Sequence, residues 1–203
     1  MTGDLAETNS AIEEVKAWQS RLVHLNTELA AQGDGTQRAP FNTVEAALDY
    51  AELEGIQRIF TFSDVDIDRN LKNFTVSGMG YPKIDLGGYT VTGSTFKRCV
   101  LSGDSIGCIS AEKCKLVAGF VARGVFNGCS FLGDFSQGAD AEYVSCHSGV
   151  TGLGYATLTV TAGNAQVRGF LGSIGFAGVT AGDHSVGILS DGRFIIAASC
   201  SQR

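Results

Sequence analysis

The chain has 203 residues, 44% of them apolar and 18% charged, which excludes a disordered tail and leaves room for one domain of moderate size or two small ones. Its net charge is −6 and no basic run occurs, which argues against nucleic-acid binding as the main task because phosphate contacts need clustered Lys and Arg. The 27 Gly against 2 Pro, with no collagen period, point to tight β corners.

The amino terminus is polar, so no signal peptide is expected, and no apolar run approaches the length of a membrane span. Residues 4–31 hold no Gly or Pro after Gly3 and are rich in Ala, Glu, Leu and Gln, so a long helix is expected there. Ala11, Val15, Trp18, Leu22, Leu25 and Leu29 recur at alternating spacings of four and three, a heptad seam. Val15, Leu22 and Leu29 take a positions and Trp18 and Leu25 d positions, which makes Val15, Trp18, Leu22, Leu25 and Leu29 the expected oligomer interface. The seam leaves two chains or three open, and a helix packed back on its own domain is the alternative.

Gly33, Asp34, Gly35 and Thr36 break the helix. A second helix follows around Val44, Ala47, Leu48 and Ala51, capped by Asn42 or Thr43. Ile56 to Phe62 and Val65 to Ile67 then read as strands. The Gly-Asp-Gly-Thr run carries no Lys for a phosphate loop and no second carboxylate for calcium.

From Leu71 to Val150 one pattern recurs: an apolar residue, two spacers, an aromatic or Cys, a spacer, an apolar residue, a spacer, a small residue. The copies are Leu71, Phe74, Val76 and Gly78; Leu86, Tyr89, Val91 and Gly93; Phe96, Cys99, Leu101 and Gly103; Ala111, Cys114, Leu116 and Ala118; Phe126, Cys129, Phe131 and Gly133. Tyr143, Cys146, Ser148 and Val150 form a weaker sixth. The copies start 15, 10, 15, 15 and 17 residues apart, the signature of a solenoid whose rungs bury their apolar faces by stacking. Phe74, Tyr89, Cys99, Cys114, Cys129 and Cys146 are expected to form one inward core ladder. The step of 10 predicts a change of rung geometry near Gly93. The six Cys contain no CxxC pair and no His at ligand spacing, so no metal and no cofactor are expected, and the four Cys of the ladder are expected to be reduced buried thiols.

After Gly154 short strands recur every 8 to 10 residues, with turns at Gly163, Gly172, Gly182 and the Asp191 and Gly192 pair, which suggests an antiparallel sheet closing the solenoid. The expected division is 1–32 helical stalk, 33–150 capped β-helix, and 151–203 antiparallel tip. The fold class is mainly β.

Gly33 to Thr36, the helix carrying Ala46, Ala47, Leu48 and Asp49, the Gly55 turn and the apolar strand beyond it resemble the start of phage tailspikes with a pectin-lyase-like fold. The resemblance covers roughly 33 to 150. It implies a right-handed β-helix lidded by that helix, and a homotrimer located in the virion. It also implies partners in the neck, collar or baseplate of a tailed phage, and a bacterial surface glycan as a further partner. It says little about activity. A polysaccharide-cleaving member needs paired carboxylates across a groove, and the candidates are Asp64, Asp66, Asp68, Asp85, Asp104, Asp134, Asp140 and Glu142. No repeated aromatic row lines the ladder, so no catalytic residue is assigned, and a depolymerase is the alternative to a structural fibre.

Overall fold

A computed structural model describes residues 21–104, 106–148, 156–171, 173–178, 186–189 and 193–196. They form a right-handed β-solenoid with a single helix. Every described strand pair is parallel.

The strands fall on three faces, the second of which carries strands as far as His147–Ser148. On the first face Arg58–Thr61, Thr75–Gly78, Thr95–Lys97 and Ile109–Glu112 stack in order. The second halves of Val121–Asn127 and Phe135–Val144, then Ala165–Arg168 and Val186–Leu189, continue it. Its inward row is Ile59, Val76, Phe96, Ala111, Phe126, Tyr143 and Val167, all buried. On the second face Val65, Ile84, Leu101, Leu116 and Phe131 stack inward. The third face starts with Leu71 beside Val91 and continues higher up through Phe135, Leu158 and Phe176. The period-2 alternation of each short strand puts one side chain in and the next out.

The six copies of the sequence pattern do not share one phase. Phe96 to Leu101, Ala111 to Leu116, Phe126 to Phe131 and Tyr143 to Ser148 each cross the corner from the first face to the second. Leu71 to Val76 crosses from the third face to the first, and Leu86 to Val91 from the second to the third. One short pattern thus serves all three corners, because each corner needs an apolar residue on either side and a turn between. The step of 10 marks a move to another corner, and the expected change of rung geometry near Gly93 is also present, since the coil from Thr75 to Thr95 takes 20 residues and the coil from Thr95 to Ser110 takes 15. Phe74 is buried but in a different column, and Tyr89 is 38% exposed and lies outside the core.

The amino-terminal part departs most from expectation. The helix expected over 4–31 does not extend through 21–31. Val23–Leu25 is a strand, paired in parallel with Arg58–Thr61. Leu25 is 2% exposed within its own solenoid core, so it is not a seam residue, while Leu22 is half-buried and Leu29 is 39% exposed. The helix propensity of this stretch loses to burial of Val23 and Leu25, whose alternation suits a strand in contact with an existing sheet. Val15 and Trp18 lie outside the described residues.

The outer edge of Val23–Leu25 is covered. His24 N donates to Gly35 O at 2.9 Å, Phe41 N to His24 O at 2.9 Å, and Asn26 N to Phe41 O at 2.8 Å. Gly35 has φ +83°, and a Cβ there would press into the Phe41 ring, so this loop holds its shape only with Gly. Helix α1, Val44–Leu53, is capped by Thr43, whose side chain accepts from Ala46 N. It buries Ala47, Leu48 and Ala51 against Val23–Leu25 and Arg58–Thr61. Loop and helix together close the first rung to edge pairing.

The carboxyl-terminal strands also differ from expectation. Ala156–Val160, Ser173–Ala177 and Arg193–Ile196 pair in parallel and extend the third face, while Ala165–Arg168 and Val186–Leu189 extend the first. The Gly163 turn joins two strands that each pair in parallel with Phe135–Val144, so it is a solenoid corner and not a hairpin, and alternation alone does not distinguish the two; Gly172 and Gly182 lie outside the described residues. The Asp191 and Gly192 turn lies outside the described residues.

Candidate functional site

Cys99, Cys114, Cys129 and Cys146 stand one above another at the corner from the first face to the second, each 0–1% exposed. Phe170 continues the column one coil higher. The residue before each takes a left-handed backbone: Arg98 (φ 54°), Lys113 (53°), Gly128 (61°), Ser145 (51°) and Gly169 (61°). Three of the thiols donate to a carbonyl of the coil below: Cys114 Sγ to Phe96 O at 3.3 Å, Cys129 Sγ to Ala111 O at 3.4 Å and Cys146 Sγ to Phe126 O at 3.2 Å. Cys suits this slot as a small apolar residue with a weak donor. Neighbouring thiols and burial push Cys99 and Cys129 up, and burial shields the whole column from reagents.

The carboxylates weighed for catalysis are spread over several corners, and most tie one coil to the next. Asp64 accepts from Lys83 N at 2.7 Å, and Asp85 from Ser102 Oγ at 3.0 Å. Asp104 pairs with Arg123, whose guanidinium lies over Gly138. Asp134 accepts from Thr157 N at 2.8 Å, Asp140 from Asn164 N at 2.8 Å, and Glu142 lies 3.4 Å from Arg168 Nε. Asp68 pairs weakly with Arg69, which reaches Asp49 on α1 at 2.6 Å. Asp66 is exposed beside Asp85 in register. Asp85 is held below the usual carboxylate range, first by the Gly87 N–H it accepts, with Ser102 and Lys83 adding to this against desolvation.

Asp140 and Glu142 do share a feature. Val121–Asn127 and Phe135–Val144 slip out of register between Ala122 and Gly124, where residues 138–140 bulge outward. A further loop at 162–164 stacks above. These bulges wall a cleft of about 270 Å³ on the first face, lined by Gly124, Val125, Asp140, Ala141, Glu142, Asn164 and Gln166. Sequence reasoning named both acids but missed the cleft, because its wall comes from a bulge offset between coils. Asp134 points elsewhere, to Thr157 on the third face.

Among the described residues no group of three or more His, Cys, Asp or Glu could hold a metal ion, and no helix is long and apolar enough to cross a membrane. What the fold defines is the class, a parallel β-solenoid with a capped amino-terminal end. No family model matches the chain, and neither a curated protein nor a solved structure is significantly similar to it.

Proposed function

We propose that this chain is a structural virion protein: a small homotrimeric fibre or spike of a tailed phage. Its amino-terminal residues attach it to the neck, collar or baseplate, and its solenoid forms a rigid shaft that contacts the host surface. The observation that carries this reading is the use of the carboxylates. Asp64, Asp85, Asp104, Asp134, Asp140 and Glu142 each bond to a residue of the next coil, so acidity strengthens the shaft in place of forming an acid–base pair. The capped first rung and the resemblance of residues 33–150 to tailspike heads support it further.

Sedimentation equilibrium of the full chain tests it. A trimer is expected, and a monomer at every concentration overturns the fibre.

The cleft holding Asp140 and Glu142 favours a second reading, a depolymerase acting on bacterial surface polysaccharide. A reducing-sugar assay on capsule or lipopolysaccharide separates the two. Sugar release that Glu142→Ala abolishes replaces the non-enzymatic reading.

A further inference from the structure

Five of the chain's 15 basic residues, Lys83, Lys97, Arg98, Lys113 and Lys115, converge on the corner between the first and second faces and on the second face beside it. They are scattered through the sequence and become a stripe only when the coils stack. Lys97 is spent on Glu112 at 2.8 Å and Lys83 on Asp85 at 3.6 Å. Arg98, Lys113 and Lys115 are exposed, and none pairs with a carboxylate among the described residues. Lys115 Nζ instead lies 4.6 Å from the centre of the Tyr81 ring, and that ring is 39% exposed.

The backbone beneath the stripe is a second, independent observation. Arg98 and Lys113 occupy the left-handed position of the corner, with φ 54° and 53°. Higher up the same column that position is Gly128, Ser145 and Gly169, two of which adopt this conformation without a Cβ clash. Two long cations stand where Gly is the unstrained choice, and they stand on adjacent coils. Both side chains are exposed, so burial does not offset the left-handed backbone at these two positions.

We infer that the stripe of Arg98, Lys113 and Lys115, ending at Tyr81, binds an anionic glycan, a polysaccharide carrying carboxylate or phosphate groups. Adjacent coils lie about 4.8 Å apart, so Arg98 and Lys113 present charge at roughly that interval along the shaft. Consecutive sugar residues advance a glycan by a similar distance, which lets neighbouring acidic groups meet neighbouring cations. Arg offers a planar fork to carboxylate or phosphate. The Tyr81 ring offers an apolar face for the C–H side of a sugar. The inference rests on reading the solenoid as a surface-contact module, and it places the contact on the shaft, at a corner away from the Asp140 and Glu142 cleft.

The test uses the full chain and three immobilised glycans: polygalacturonate for carboxylate, a phosphate-bearing mannan for phosphate, and dextran as the neutral control. Binding to at least one acidic glycan and not to dextran is expected, weakening as salt rises. The double variant Arg98→Gly with Lys113→Gly should bind about tenfold more weakly or worse, with a salt slope lower by about two. Its thermal midpoint should equal or exceed the parent's, because Gly relieves both left-handed positions, so lost binding is not lost folding. Retention by one acidic glycan alone identifies carboxylate or phosphate as the group read. Equal retention on dextran, no retention on either acidic glycan, unchanged binding by the double variant, or equal retention on single-stranded DNA each overturns the inference. None of these outcomes alters the oligomer that sedimentation reads, so the shaft reading stands or falls separately.

Discussion

Tyr143 donates its phenolic proton to Gln137 Oε1 at 3.2 Å, although the two residues sit on different faces of the solenoid and both are 0% exposed. Gln137 Nε2 in turn donates to Ala162 O at 3.3 Å, and Thr161 Oγ1 donates to Gln137 O at 2.6 Å. This buried polar chain crosses a corner inside an aromatic core in which Phe131 and Phe135 stack at 4.1 Å and Phe126 and Tyr143 at 5.5 Å. It ties the coil of residues 126–148 to the one above and fixes the orientation of the Tyr143 ring. Tyr143→Phe keeps the ring and strips Gln137 Oε1 of its donor. The expected loss is about 1–3 kcal/mol, read from urea unfolding with an unchanged slope.

Gly124 packs close against the coil below. It has φ +106°, and a Cβ there would press into the Ile109 carbonyl oxygen. Gly124→Ala must both strain its backbone and push two paired strands apart at the slip beside the cleft. A loss above about 2 kcal/mol is expected from the same unfolding measurement. An effect near zero would mean that the bulge at 138–140 adjusts freely.

The cysteine column predicts a labelling pattern. Cys108 is exposed, while Cys99, Cys114, Cys129 and Cys146 are buried and bonded to backbone carbonyls. In the native chain at neutral pH, iodoacetamide should modify Cys108 and spare these four, which react only after unfolding. Peptide mass mapping before and after denaturant checks this. Rapid native modification of Cys114 or Cys129 would contradict the column.

His24 makes the amino-terminal cap pH-sensitive. Its ring stacks on Phe62 at 5.9 Å and lies 3.3 Å from Gly35 O. Burial holds it below its usual 6.5, with the Gly35 carbonyl partly opposing this. A base whose folded value is depressed binds fewer protons folded than unfolded. Its contribution is therefore complete above 6.5 and is lost as pH falls below it, toward the depressed folded value. Hydrogen exchange of Phe41 N, which bonds to His24 O, should quicken on acidification through this window. In His24→Phe that pH dependence should flatten. Equal dependence in both chains would assign the effect to another group.

Much of the shaft was legible in the sequence, and the reason is local. The spacing from Phe96 to Cys99 to Leu101, repeated from Ala111 and from Phe126, is set by the geometry of one corner, so it survives in the sequence of each coil. Helix α1 was legible for the same reason, since Thr43 and the Ala47, Leu48 and Ala51 face lie within a few turns. The phase of Phe74 and Tyr89 was not legible, because the same short pattern fits any of the three corners. The cleft and the basic stripe were not legible either. Asp140 meets Asn164, and Arg98 stands beside Lys113, only through the register between coils.

The amino acids alone determined that this chain stacks β rungs, that the four thiols of its repeats face inward, and that a capped helix precedes the shaft. These follow from patterns within about ten residues, where side-chain alternation and capping act. Tertiary structure decided the rest. It made Val23–Leu25 a strand against helix propensity, because a waiting sheet edge rewards burial of Val23 and Leu25. It made the carboxyl-terminal strands parallel, because the previous rung is their nearest partner. It also turned scattered acids into ties between coils and scattered lysines and arginines into a stripe, because a solenoid places residues one coil apart in sequence side by side in space.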